Sequence, residues 1–200
     1  MRQFFAILFI TLGLSVNVAA QEHTKRPPTT TPPATPPATP PVKPNNNPTT
    51  NPGGWVRFTS DAGRFTVLMP AAPEEKTETT PSEHGPYTTH LFVTKDTANV
   101  YLIGWVDYDP SFNFNRQGEL DANRDQFVKN VNATLTSTRT LTLDGYQALE
   151  FAAETDDRVF RSRVYIVGRR PYQIIIGVPK ENEDPVLVNR FFNSFKIKAY

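Results

Sequence analysis

The chain has 200 residues, 19 prolines, no cysteine and a formal net charge of +1. Without cysteine it has no disulfides, no thiol nucleophile, no thiolate metal ligand and no lipidated N-terminal cysteine. The near-neutral balance, slightly acidic after residue 54, excludes the concentrated basic face of a nucleic-acid binder.

Residues 1–20 read as an export signal: Arg2, then the apolar run 4–14 (FFAILFITLGL), then the small residues Val18-Ala19-Ala20. A membrane span needs roughly 20 apolar residues, so no stable transmembrane anchor is predicted. Cleavage before Gln21 is expected, with an uncleaved signal-anchor as the alternative. The expected destination is a bacterial periplasm, cell envelope or the medium. Residues 21–54 read as a disordered Pro/Thr/Asn-rich linker holding eleven of the 19 prolines. Proline fixes φ and removes a donor, so polyproline II is the default there. At about 3.1 Å per residue the stretch could reach on the order of 90 Å. It reads as a spacer, with a PxxP ligand or a glycosylated stalk as other readings.

Residues 55–200 read as one domain, long enough to bury a core without disulfides. A first strand is predicted at 64–68 (RFTVL), closed by Pro70 and Pro73, and others at 87–93 and 100–108. The last of these, VYLIGWVDY, is almost continuously apolar or aromatic, as in a strand buried on both faces. Residues 116–132 read as a helix capped by Asn115, with Leu120, Phe127, Val128 and Val131 on one face. The Thr-rich stretch 135–143 reads as a strand, and Asp144-Gly145 as its turn into a strand at 146–152. Strands at 159–167 and 172–178 are joined through Gly168-Arg169-Arg170-Pro171. Asp184 and Pro185 open a second helix, whose Leu187, Val188, Phe191, Phe192 and Phe195 recur at helical spacing. The predicted fold class is α+β: a central, largely antiparallel sheet of about six to seven strands flanked by helices, an α/β/α sandwich.

The search for chemistry finds little. His84 and His90, six residues apart, have no clustered third ligand, so no metal site is predicted. No serine sits in a nucleophile elbow, and no glycine-rich phosphate loop occurs, so no cofactor is implied. Asp107 and Asp109 share a strand end and could serve a hydrolase, but solvation of the strand end is the favoured reading. Arg161 and Arg163 share one strand face and are expected to pair with acids on the next strand. The candidate contact surface is Tyr108, Phe112 and Phe114 in the loop YDPSFNF, with Arg169 and Arg170 of the turn. Loop aromatics of this kind either pack back onto the core or form an exposed interface patch.

Three stretches together carry a resemblance: 65–73 (FTVLMPAAP), 143–150 (LDGYQALE) and 190–197 (RFFNSFKI). They resemble exported bacterial proteins of the PsbP/Mog-like α/β/α sandwich group, over essentially all of 55–200. The resemblance implies an antiparallel sheet flanked by helices, in a group dominated by non-enzymatic binding and assembly roles. The photosynthetic members' role is not implied, because no residue here matches their functional surface. The functional expectation is a non-catalytic interaction domain meeting a protein or another envelope component. The alternative is a small-molecule carrier with a pocket between the sheet and the C-terminal helix, lined by Tyr101, Trp105 and Phe192.

Overall fold

The computed structural model describes Thr49–Thr50 and residues 54–198, so the signal and most of the expected linker lie outside the described residues. Seven antiparallel strands build the main sheet: β4 (Glu74–Thr80), β5 (Tyr87–Lys95), β6 (Val100–Tyr108), β7 (Thr134–Leu143), β8 (Tyr146–Glu154), β9 (Arg158–Val167) and β10 (Arg170–Pro179). Their spatial order is β4-β5-β6-β10-β9-β8-β7. The two most apolar strands, β6 and β10, lie side by side in the interior and are buried on both faces. Their sequence pattern demands that position, because a strand with no polar face must be covered twice.

One cover is a small second sheet plus a helix. β1 (Thr49–Thr50), β2 (Val56–Ser60), β3 (Phe65–Met69) and β11 (Lys196–Ile197) form it in that order. The strand predicted at 64–68 therefore belongs to this layer and not to the central sheet. Its place there is taken by β4, which the sequence pattern does not announce. The first pairing also begins inside the segment read as linker, since Thr49 and Thr50 face Arg57 and Val56. β3 buries Phe65, Val67 and Met69 beneath it, against Trp105 and Ile174 of the main sheet.

Helix α2 (Pro185–Ser194) shares this layer. The Asp184 side chain accepts from the Val186 amide, and Pro185 occupies the first turn, as expected for this start. Its stripe of Val188, Phe191, Phe192 and the capping Phe195 is buried, each large side chain contributing roughly 2 kcal/mol by leaving water. Ser194 fixes the helix to β3: its hydroxyl accepts from the Leu68 amide at 2.9 Å and donates to the Phe191 carbonyl at 2.7 Å.

Helix α1 (Arg116–Asn130) covers the opposite face across β8, β9 and β10. Asn115 caps it by accepting from the Gly118 amide at 2.8 Å. Leu120 and Phe127 are buried, while Val128 and Val131 only flank the core. The helix stops two residues earlier than predicted, and Asn132 just beyond its end turns to φ 51°. The predicted Asp144-Gly145 turn has positive φ at both positions, 50° and 81°, as a two-residue hairpin of the I′ type requires.

Candidate functional site

The residues singled out from the sequence meet at the open end of β6 and the β9–β10 hairpin. An open hollow of about 380 Å³ there is lined by Asp107, Tyr108, Pro110, Arg169 and Arg170. Three of the five expected residues, Tyr108, Arg169 and Arg170, are thus brought together at one surface. The two phenylalanines do not line it. Phe112 is only 6% exposed and stacks on Tyr108 with ring centroids 4.4 Å apart. Phe114 is partly buried beside the same ring. Of the two arrangements open to these loop aromatics, they adopt packing onto the core.

The two arginines at this end are already engaged. Arg169 donates to the Phe112 carbonyl at 2.6 Å, tying the loop to the hairpin. Arg170 donates to Asp107 at 2.6 Å and to the Ala62 carbonyl at 2.9 Å. Asp107 also meets His90, which stacks on Trp105 at 4.4 Å. Burial pushes the Asp107 carboxyl up, but His90, Arg170 and Trp105 together hold it below the ordinary range. Asp109 folds onto Ser111 instead, and those hydrogen bonds lower it too. The two carboxylates thus serve different partners, and neither is the raised acid that paired-carboxylate hydrolysis uses. His84 lies in the turn before β5, against Phe112, away from the strand that carries His90.

A second cavity, of about 330 Å³, lies where the carrier reading placed one, between α2 and the main sheet. Its lining differs from the one expected. Tyr101 and Trp105 are sealed in the core, and of the three predicted aromatics only Phe192 reaches the cavity. The walls are instead ionic. Strand register places Arg139 of β7 opposite Glu150 of β8, and Glu150 opposite Arg163 of β9. Glu150 accepts from Arg139 on one side and from Arg163, at 2.7 Å, on the other. Burial acts to raise the Glu150 carboxyl, but the two guanidiniums hold it below its usual range.

The expectation for Arg163 holds, since its acid is on the adjacent strand. Arg161 pairs elsewhere, with Glu183 just before α2, at 2.7 Å. That hydrogen bond raises the Arg161 guanidinium further. The Arg163 guanidinium lies 4.6 Å from the centroid of Phe192, the apolar floor of the cavity. Three guanidiniums thus face two carboxylates, which leaves one positive charge in excess. The exposed Asn189 of α2 stands at the rim. Only the alternation of Arg161 and Arg163 is visible in the sequence, because the rest depends on register and on where α2 docks.

Among the described residues no group of three or more metal-binding side chains occurs, and no helix is long and apolar enough to cross a membrane. No family model matches the chain, and no curated protein matches it. Among solved structures it is similar to the solution structure of cyanobacterial PsbP (CyanoP) from Synechocystis sp. PCC 6803. That match has 14% identity and a TM-score of 0.50, covering 74% of this chain and 94% of that one. A crystal structure from Bacteroides thetaiotaomicron VPI-5482 matches at 16% identity and a TM-score of 0.35, over 72% of this chain and 48% of that one. At 14% identity the likeness to CyanoP speaks for architecture alone, and it agrees with the layers described above. The chain has a PsbP-like α+β fold.

Proposed function

We propose that the chain is an exported binding domain without a catalytic centre, presented on a proline-rich linker, and that its partner occupies the groove between α2 and strands β7, β8 and β9. The observation that carries this reading is the groove itself. Its volume, about 330 Å³, falls at the lower end of ligand-binding cavities, and it combines an aromatic floor with convergent charged groups. The hollow at the end of β6 offers less, because five residues wall it, against twelve around the groove.

The test uses the full chain in its producing cells. A benzophenone amino acid is placed at position 189, on the groove rim, or at position 83, an exposed site in the turn before β5. The expected result is a discrete adduct from position 189, none from position 83, and loss of the adduct when Arg161 and Arg163 are both changed to Met. Separately, Asn189→Trp should block capture by an untagged chain without lowering Tm, since the residue is exposed. Adducts from position 83 alone would refute the groove as the site.

A further inference from the structure

The open side of this groove is the free edge of β7, which has β8 as its one neighbour in the sheet among the described residues. Exposed edges invite another strand, and folded proteins usually guard them with charge. The two edges of the main sheet differ in this respect. β4 reads EEKTETT, with charges at Glu74, Glu75, Lys76 and Glu78. β7 reads TLTSTRTLTL, ten residues with Arg139 as the lone charge and threonine at every second position. It contains no proline, and its one irregularity lies between Leu135 and Ser137. From Ser137 onward it continues regularly to Leu143.

Side-chain direction along that regular stretch is set by its register with β8. Ser137, Arg139, Leu141 and Leu143 share the α2 face, since Leu141 and Leu143 pack on the core cluster of that side. Thr138, Thr140 and Thr142 point the other way and are exposed or nearly so. An added strand would therefore meet a cation opposite Arg139, apolar surface opposite Leu141 and Leu143, and hydroxyls on its reverse face. Arg139 is free to answer it. Its side chain is 67% exposed, and Glu150 keeps the 13%-exposed Arg163 when Arg139 turns outward.

We infer that β7 accepts an extended acidic peptide as an eighth strand of the main sheet, with a carboxylate on Arg139 and apolar side chains over Leu141 and Leu143. This rests on the groove reading and names the chemical class of its occupant. Main-chain hydrogen bonds to the edge supply the affinity, and the alternating side chains supply the selection. The excess positive charge of the groove favours the acidic partner over a neutral or basic one. The added strand runs antiparallel, as every other pair in the sheet does.

The test titrates the full chain, isotopically labelled, with the blocked peptide Val-Thr-Val-Thr-Glu-Thr-Thr, which sets glutamate opposite Arg139. Two controls are the same peptide with lysine for glutamate and one N-methylated at the amides that face β7. Amide shifts and hydrogen exchange are read. The expected result is slowed exchange confined to the span from Ser137 to Leu143. Binding should be about tenfold weaker for the lysine peptide, reversed in preference by Arg139→Glu, and abolished by N-methylation. Equal binding of the glutamate and lysine peptides, or of the N-methylated one, overturns strand addition. So does protection at β4. A concentration-dependent dimer with β7 protected and no competition by peptide overturns it in favour of a second copy of the chain. If no peptide binds while position 189 still captures a partner, the groove reading stands and this inference falls. If both fail, both are wrong.

Discussion

The Tyr108 hydroxyl donates to the Glu119 carboxylate at 2.5 Å, tying the end of β6 to the first turn of α1. Glu119 is fully buried, and its second oxygen finds no hydrogen-bond partner among the described residues. Burial pushes its pKa from 4.5 up to about 7, against the opposing pull of the Tyr108 hydrogen bond. Burial thus favours the protonated carboxyl, the form that costs less to bury.

That pair makes stability depend on pH in a definite direction. A carboxyl raised in the folded state stabilises the fold fully below its unfolded pKa, 4.5, and the contribution disappears as pH rises through about 7. The loss across that window is on the order of 3 kcal/mol. Thermal unfolding followed from about pH 4.5 to 8 should show Tm falling as pH rises. In Glu119→Gln the share of the slope due to this group should vanish, so the difference between the two curves isolates it. Parallel curves would show that Glu119 does not titrate in this range.

Phe112 should behave as a core residue despite its place in a loop. Phe112→Ala removes a ring that is 6% exposed and stacked on Tyr108, and should cost about 3 kcal/mol in urea unfolding. Phe114→Ala, at a partly buried site, should cost about 1 kcal/mol. Partner capture through position 189 should survive both changes. A loss of capture without a loss of stability would return these two aromatics to the binding surface.

The ionic row across β7, β8 and β9 should be energetically uneven. Arg163→Met removes a guanidinium that is 13% exposed, bonded to Glu150 and stacked on Phe192, and should cost about 2 kcal/mol. Arg139→Met, at 67% exposure, should stay within about 0.5 kcal/mol. Double-mutant cycles with Glu150→Gln measure each coupling directly. Equal couplings would contradict the ordering by burial.

Gly177 of β10 admits no side chain. A Cβ there would lie 2.7 Å from the Phe160 ring and 2.9 Å from Val100. Gly177→Ala should therefore destabilise the domain by about 2 kcal/mol through overpacking beneath α1. The companion change Phe160→Leu, which shortens the obstructing side chain, should recover some of that loss. An undiminished Tm in Gly177→Ala would mean the ring moves aside freely.

The features of this fold legible in the sequence are those fixed by local chemistry. Asp144-Gly145 needs positive φ, Asp184 with Pro185 needs a helix start, and the unbroken apolar run of β6 needs cover on both faces. β4 is illegible because an edge strand with exposed side chains carries no burial pattern, and EEKTETT looks like any charged loop. β2 escapes notice because Phe58 and Ser60 are too short a buried alternation to stand out beside the linker. The groove is hidden for another reason. Arg139, Glu150 and Arg163 converge through the pairing of three strands, and Glu183 joins Arg161 across 22 residues of chain. No spacing rule in one dimension encodes either meeting.

The small sheet also decides how the domain meets mechanical load. Among the described residues the chain enters it through β1, which pairs with β2 at Thr49 and Thr50. Tension arriving along the preceding residues meets this antiparallel pair at its open end, where hydrogen bonds break in succession instead of sharing the strain. The pairings of β2 with β3 and of the seven-stranded sheet do not involve β1, so they would outlast its opening. On a tether, β1 would be the first part of the domain to give, ahead of the groove beside α2.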